Sequence, residues 1–204
     1  MKADELISRV KRIYASIQAS QEFNMTKLRG KVFRSDRVFG VFQDFSGGQG
    51  EEEMSNTAHL TIHNIANLRD NLRRWAARTS RDKSRVDQMF NASQTLKIIQ
   101  DLSNNDKHGY PPRDSGFSRL APRLEYIRRN LQLTTKAKAG SWVAMTMDSM
   151  SVPQIAGDGS ACAIVTADVM DKDGKLIGDL AKIELAGIEA WEMLLAEYGI
   201  SVPK

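Results

Sequence analysis

One cysteine, Cys162, is all that 204 residues contain, so no disulfide can form within the chain. That suits a reducing cytoplasm, and inside the apolar run ACAIV the residue reads as a small core side chain. No run of about 18 apolar residues exists, so no membrane span is expected. The opening MKADELISRVKRIY lacks the apolar segment of a secretory signal. No glycine-rich phosphate loop is found: Gly47, Gly48 and Gly50 lack the following Lys-Ser/Thr and the flanking strand. There is no nucleophile elbow, and Cys162 has no adjacent His, so serine-hydrolase and thiol-enzyme layouts fall away. No cofactor is expected. Imidazole chemistry rests on three histidines, His59, His63 and His108.

Charge is abundant but uneven. The net charge is +4. Residues 1–140 hold 25 Lys and Arg against 15 Asp and Glu, while residues 141–204 hold 4 against 10. The asymmetry suggests two parts, residues 1–138 and residues 139–204, packed as one compact unit. It also makes the first part the place for an anionic partner.

Apolar periodicity predicts a mainly α protein. Leu6, Val10, Ile13 and Ile17 recur at helical steps over residues 3–19. Residues 30–50 read as either a short helix or an extended segment, and GGQGEEE as an exposed loop. A second helix starts near Ser55, Asn56 or Thr57. It buries Ile65, Leu68, Leu72 and Trp75, and presents His59, His63, Asn67, Asp70 and Arg74 on another face. A third runs from about Lys83 to Asn104, packing Val86, Phe90, Leu96, Ile99 and Leu102, with Pro111 and Pro112 to stop the helix soon after. FSRLAPRLEYIRRNLQL reads as a fourth helix with Leu120, Leu124, Ile127 and Leu131 inward. After residue 140 the pattern turns strand-like, with a tight turn at Asp173–Gly174. A closing helix over about 180–198 carries Ile188, Trp191 and Leu195. The expected architecture is an antiparallel bundle of about four helices, followed by a small C-terminal β-hairpin or sheet and a closing helix. Trp75, Trp142 and Trp191 read as core or dimer anchors.

The stretch LSNNDKHG, residues 102–109, then stands out. It resembles the third-helix end of HEPN-like domains, the helical nucleotide-binding family of higher eukaryotes and prokaryotes, with Leu102, Asn104, His108 and Gly109 in register. A less characterised group is similar over more of the chain. Its pieces are His59-x-x-x-His63-Asn64, Asp101-x-x-Asn104-x-x-Lys107-His108, the Asp173–Gly174 hairpin and Trp191. The resemblance implies a four-helix bundle, a homodimer, and for many members metal-independent RNA cleavage in toxin, defence, stress or RNA-processing systems. It makes RNA or a nucleotide the candidate ligand and leaves room for a protein partner such as an antitoxin. One position departs: the family's Arg is Ser103, which has no charge for a phosphate. Either Lys107 or Arg69 takes over, or binding remains without catalysis.

The candidate catalytic residues are therefore His108, Lys107, Asn104 and Asp101. His108 would be acid or base and Lys107 a phosphate contact, while Asp101 and Asn104 would orient. Each also has a purely structural role open to it at a polar helix end. Arg69, Arg73, Arg74 and Arg78 form a candidate nucleic-acid track, or else a solvated basic face. His59, His63 and Asn67 form a supporting polar face across from the third-helix cluster. The i,i+4 spacing of His59 and His63 suits a metal, but no Glu of the HExxH kind lies between them, and none is expected.

Overall fold

The computed structural model describes residues 3–19, 29–34, 39–44, 50–109, 116–147 and 153–202. Five helices occur among them: α1 (Ala3–Ala19), α2 (Glu51–Arg78), α3 (Ser84–Ala92), α4 (Gln94–His108) and α5 (Leu180–Glu197). The strands are β1 (Arg29–Arg34), β2 (Phe39–Asp44), β3 (Arg123–Thr134), β4 (Val143–Met147), β5 (Pro153–Gly157), β6 (Ser160–Met170) and β7 (Leu176–Asp179). β1–β2 and β4–β5 are antiparallel hairpins, and β3-β6-β7 is an antiparallel three-stranded sheet. No helix among the described residues is long and apolar enough to cross a membrane.

The expected α bundle with a small hairpin is therefore corrected to a mixed α/β fold, with a sheet larger than a hairpin. The decisive change is the fourth helix, which is strand β3. A bulge explains the misreading. Glu125 faces Asp168 and Arg128 faces Thr166, so Tyr126 and Ile127 together oppose one residue of β6. Tyr126 takes φ +52°, the left-handed conformation that lets a bulge insert its extra residue. As a result Leu124 and Ile127, three apart, both reach the core. A spacing of three is the signature of a helix, and here an irregular strand produces it.

The third helix is also corrected: it is two helices. Ser93 leaves the helical region (φ −94°, ψ 111°), and its Oγ accepts from the Leu96 N–H, capping α4. α2 begins at Glu51, earlier than Ser55, with Glu51, Glu52 and Glu53 at the positive end of its dipole. Residues 30–50 contribute the β1–β2 hairpin. Pro111–Pro112 and Gly47–Gly48 lie outside the described residues.

One core joins the parts. The second-helix stripe Ile65, Leu68, Leu72 and Trp75 is buried, as are Val86, Phe90, Leu96, Ile99 and Leu102 of α3 and α4. Alternate residues of β6, Ala163, Val165, Ala167 and Val169, turn inward beneath the helices, and Ile188, Trp191 and Leu195 of α5 close the layer. Gly187 lets α5 sit close: a Cβ there would lie 2.3 Å from Ile99 Cδ1. β3 and β6 pair across residues 138–139, so the sheet draws on both parts of the chain. Gly174, at φ +79°, makes the expected turn, with Asp171 Oδ1 accepting from the Asp173 and Lys175 N–H groups. Trp142, unlike Trp75 and Trp191, is largely exposed. Cys162 is half-buried, and that burial raises its thiol above the ordinary value and keeps it protonated.

Candidate functional site

α2 and α4 pack side by side and present polar residues to each other along one edge. His63 sits at the centre. Its Nε2–H donates to Asp106 Oδ2 at 2.7 Å, and its Nδ1 lies 2.8 Å from Ser103 Oγ. With the proton on Nε2, Nδ1 is an acceptor and Ser103 the donor; in the imidazolium form Nδ1 donates to Ser103 instead. One i,i+3 pair on α4 thus grips both nitrogens of an imidazole on α2. Ser103 is fully buried, which makes it a ring-orienting group and places it out of reach of a bulky substrate. Asp106 also faces His59, whose Nδ1 stands 3.5 Å from Oδ1, too far for a good hydrogen bond. Burial, with help from neighbouring His63, lowers the His59 pKa below its ordinary value, against the pull of Asp106. One turn on, Lys107 Nζ makes a long 3.5 Å contact with Asn67 Oδ1.

The four residues expected to be catalytic separate. Lys107 joins this edge through Asn67. Asp101 points away from it and is fully buried; its two oxygens accept from the Phe117 and Ser118 N–H groups at 2.9 and 2.8 Å. Asn104 accepts from Gln100 Nε2 on its own helix at 3.2 Å. His108 is exposed in the last turn, where Gly109 at φ +66° ends α4. The supporting face of His59, His63 and Asn67 does lie against α4, as its position on the wheel predicts.

Ser103 and Asp106 are the residues that sequence reasoning passed over. Ser103 entered only as a missing Arg. Asp106 stands one turn beyond it, and the matching i,i+4 histidines on α2 are the signal that pairs with that spacing. No group of three or more His, Cys, Asp or Glu placed to hold a metal ion exists among the described residues.

The basic residues of α2 also divide. Arg69 Nη2 donates to Asp87 Oδ1 at 2.9 Å, and its guanidinium lies 3.8 Å from the Phe90 ring centre. Arg73 shares Asp87 at 3.4 Å. Arg74 and Arg78 are exposed and form no ion pair among the described residues. Arg74 and Arg73 line an open depression of about 350 Å³ with Asp70, Ala77 and Lys83. Arg69→Ala is expected to cost about 1–2 kcal/mol in urea unfolding, through lost stacking and a half-buried ion pair. Arg74→Ala and Arg78→Ala are each expected to stay within about 0.5 kcal/mol of wild type.

The chain is thus a mixed α/β protein with a histidine–carboxylate edge between two helices and a basic face beside it. No family model matches it, and neither a curated protein nor a solved structure is found that matches.

Proposed function

We propose that this is a HEPN-like binding protein of a reducing cytoplasm, directed at RNA or a nucleotide through the exposed basic surface of α2. The observation that carries this is the division of the arginines: Arg74 and Arg78 stay solvent-facing and outside any ion pair among the described residues, while Arg69 and Arg73 are tied to Asp87. Surface cations outside ion pairs are what phosphate contacts draw on. Ser103 supports binding ahead of catalysis, since it stands where the resembled family has its arginine and is an uncharged, buried side chain that orients His63.

Binding of labelled single-stranded RNA over a salt series tests it. Each phosphate contact contributes roughly 0.7 to the log–log salt slope on a single strand, so Arg74→Ala/Arg78→Ala is expected to flatten the slope by about 1.4. Absence of RNA and nucleotide binding at low salt would leave a structural or protein-interaction dimer in its place.

A second reading is a metal-independent endoribonuclease. It is favoured by the Asp106 and Ser103 contacts that orient the His63 ring, as an acid–base group needs, and by exposed His108 at the end of α4. Cleavage in EDTA that disappears in His108→Ala or His63→Ala supports it; binding without cleavage rejects it.

A further inference from the structure

Between α1 and α2 lies a second polar recess, of about 260 Å³, lined by Arg9, Arg12, Asn64, Asn67 and Asn71 over Ile13 and Leu68. We infer that this cleft is the seat of a small phosphorylated ligand, with Arg9 on the phosphate and the α2 asparagines as neutral donors and acceptors around it. The inference deepens the phosphate-directed function above and rests on it for the ligand class.

The polar lining among the described residues is one-signed: two guanidinium-bearing residues and three carboxamides, with no carboxylate. Arg9 forms no ion pair among the described residues. Arg9 lines the recess from α1, one turn from Arg12, whose Nε donates to the Ser8 carbonyl at 3.4 Å. Asn64, Asn67 and Asn71 follow at steps of three and four on α2. Asparagine is a poor interior helix residue, costing up to about 0.7 kcal/mol against alanine, so three in a row on one face are not there for helix stability.

Their orientation is partly set. Asn71 Nδ2 donates to the Asn67 carbonyl at 2.9 Å, leaving its Oδ1 as an acceptor. Asn67 Oδ1 takes the Lys107 contact, leaving its amide as a donor. Asn67 therefore connects the cleft to the α4 edge that carries His63 and Asp106. Below the polar rim, Ile13 and Leu68 are buried and supply an apolar floor. A site of this volume falls just short of the roughly 300 Å³ at which drug-sized pockets begin, which suits one nucleotide unit rather than a large cofactor.

The test is calorimetric titration of the full chain with inorganic phosphate, with AMP and with a short single-stranded RNA. Wild type is set beside Arg9→Ala, Arg9→Lys, Asn67→Ala and Arg74→Ala/Arg78→Ala. Arg9 and Asn67 are exposed, so their variants are expected to fold. The expected result is binding of AMP that weakens at least tenfold in Arg9→Ala, is partly kept in Arg9→Lys, and weakens less in Arg74→Ala/Arg78→Ala than in Arg9→Ala. Phosphate binding as tightly as AMP, with the same Arg9 dependence, upholds the cleft and makes free phosphate the source. RNA binding that also falls in Arg9→Ala makes a chain phosphate the source. RNA binding indifferent to Arg9, with no binding of AMP or phosphate, overturns the cleft and keeps the basic α2 surface. AMP binding that depends on Arg9, with no RNA binding by any form, upholds the cleft and rejects the RNA surface.

Discussion

Asp101→Ala is expected to lower unfolding stability by about 3–5 kcal/mol, one of the two largest single-residue effects in the chain. The carboxylate is fully buried and each oxygen accepts one backbone N–H, from Phe117 and from Ser118. Hydrogen bonds to a charged group contribute about 1.5–3 kcal/mol each, and deleting the acceptor leaves the N–H groups without partners. The turn they hold is a costly one. Arg119 and Ala121 both take positive φ, of 67° and 44°, where side chains are disfavoured. Gln94 Nε2 fastens the same turn from below through the Ser118 carbonyl. Gly116, at φ +70°, is required as well: a Cβ there would lie 2.4 Å from Asp101 Oδ1. Gly116→Ala is accordingly expected to cost about 2 kcal/mol. Asp101→Asn keeps one acceptor and places an amide N–H₂ against a backbone donor, for a loss of about 2–3 kcal/mol. Urea midpoints decide the matter. If Asp101→Ala unfolds at the wild-type midpoint yet loses ligand binding, Asp101 belongs to the site and its scaffold role is wrong.

That residue marks where the sequence stops being informative. Asp101, Asn104 and His108 fall on one helical face, and the pattern alone makes a cluster of them. The structure fills part of that face with a turn 15 residues on, whose identity as a carboxylate-bound loop no periodicity reveals. The neighbouring face is the reverse case. His59, His63 and Asn67 point at α4 as the helical wheel predicts, because α2 has an unbroken apolar stripe that fixes its rotation. Which α4 residues they meet depends on the rotation of α4 about its own axis, and that is set by burial of Leu96, Ile99 and Leu102 against α2 and α5. Hence Asp106 and Ser103 emerge only once both helices are placed.

The fold divides along the same line. The helices over 3–19 and about 180–198, the apolar stripe of α2 and the Asp173–Gly174 turn are local features, and they are read from residues close in sequence. β3 is not local. Its pairing partner lies beyond residue 160, and its bulge converts a strand's alternation into a helical spacing at Leu124 and Ile127. The break at Ser93 is legible only through its capping hydroxyl, since Phe90 and Leu96 on either side both reach the core.

Glu184→Met is expected to raise stability by about 3 kcal/mol at pH 7 and to remove most of a pH slope. Glu184 lies on the inner face of α5, nearly inaccessible, with no hydrogen-bond partner for Oε1 among the described residues. Burial first, and then the nearby charge of Asp179, push its pKa from 4.5 up to about 8. Below the unfolded value both states hold the proton and the group adds no pH dependence. Between the two values the folded chain is protonated and the unfolded chain is not, so stability falls as pH rises, by about 1.4 kcal/mol per unit. Above the folded value the loss is complete. His59 acts in the opposite direction: its lowered pKa makes the folded state resist protonation, so its stability contribution is present above 6.5 and fades as the solution becomes acidic. Subtracting variant from wild type cancels His59 and isolates the carboxyl. Methionine keeps the length of the side chain and removes the charge, so the gain is expected to be small at pH 4.5 and to grow steadily toward pH 8. Glu184→Gln, which retains a polar head without a titrating proton, is expected to flatten the slope with less gain. Parallel urea curves at pH 5 and pH 7.5 check this; a wild type whose stability rises steadily across that window, with Glu184→Met following in parallel, would show that Glu184 is charged in the folded protein and has a partner.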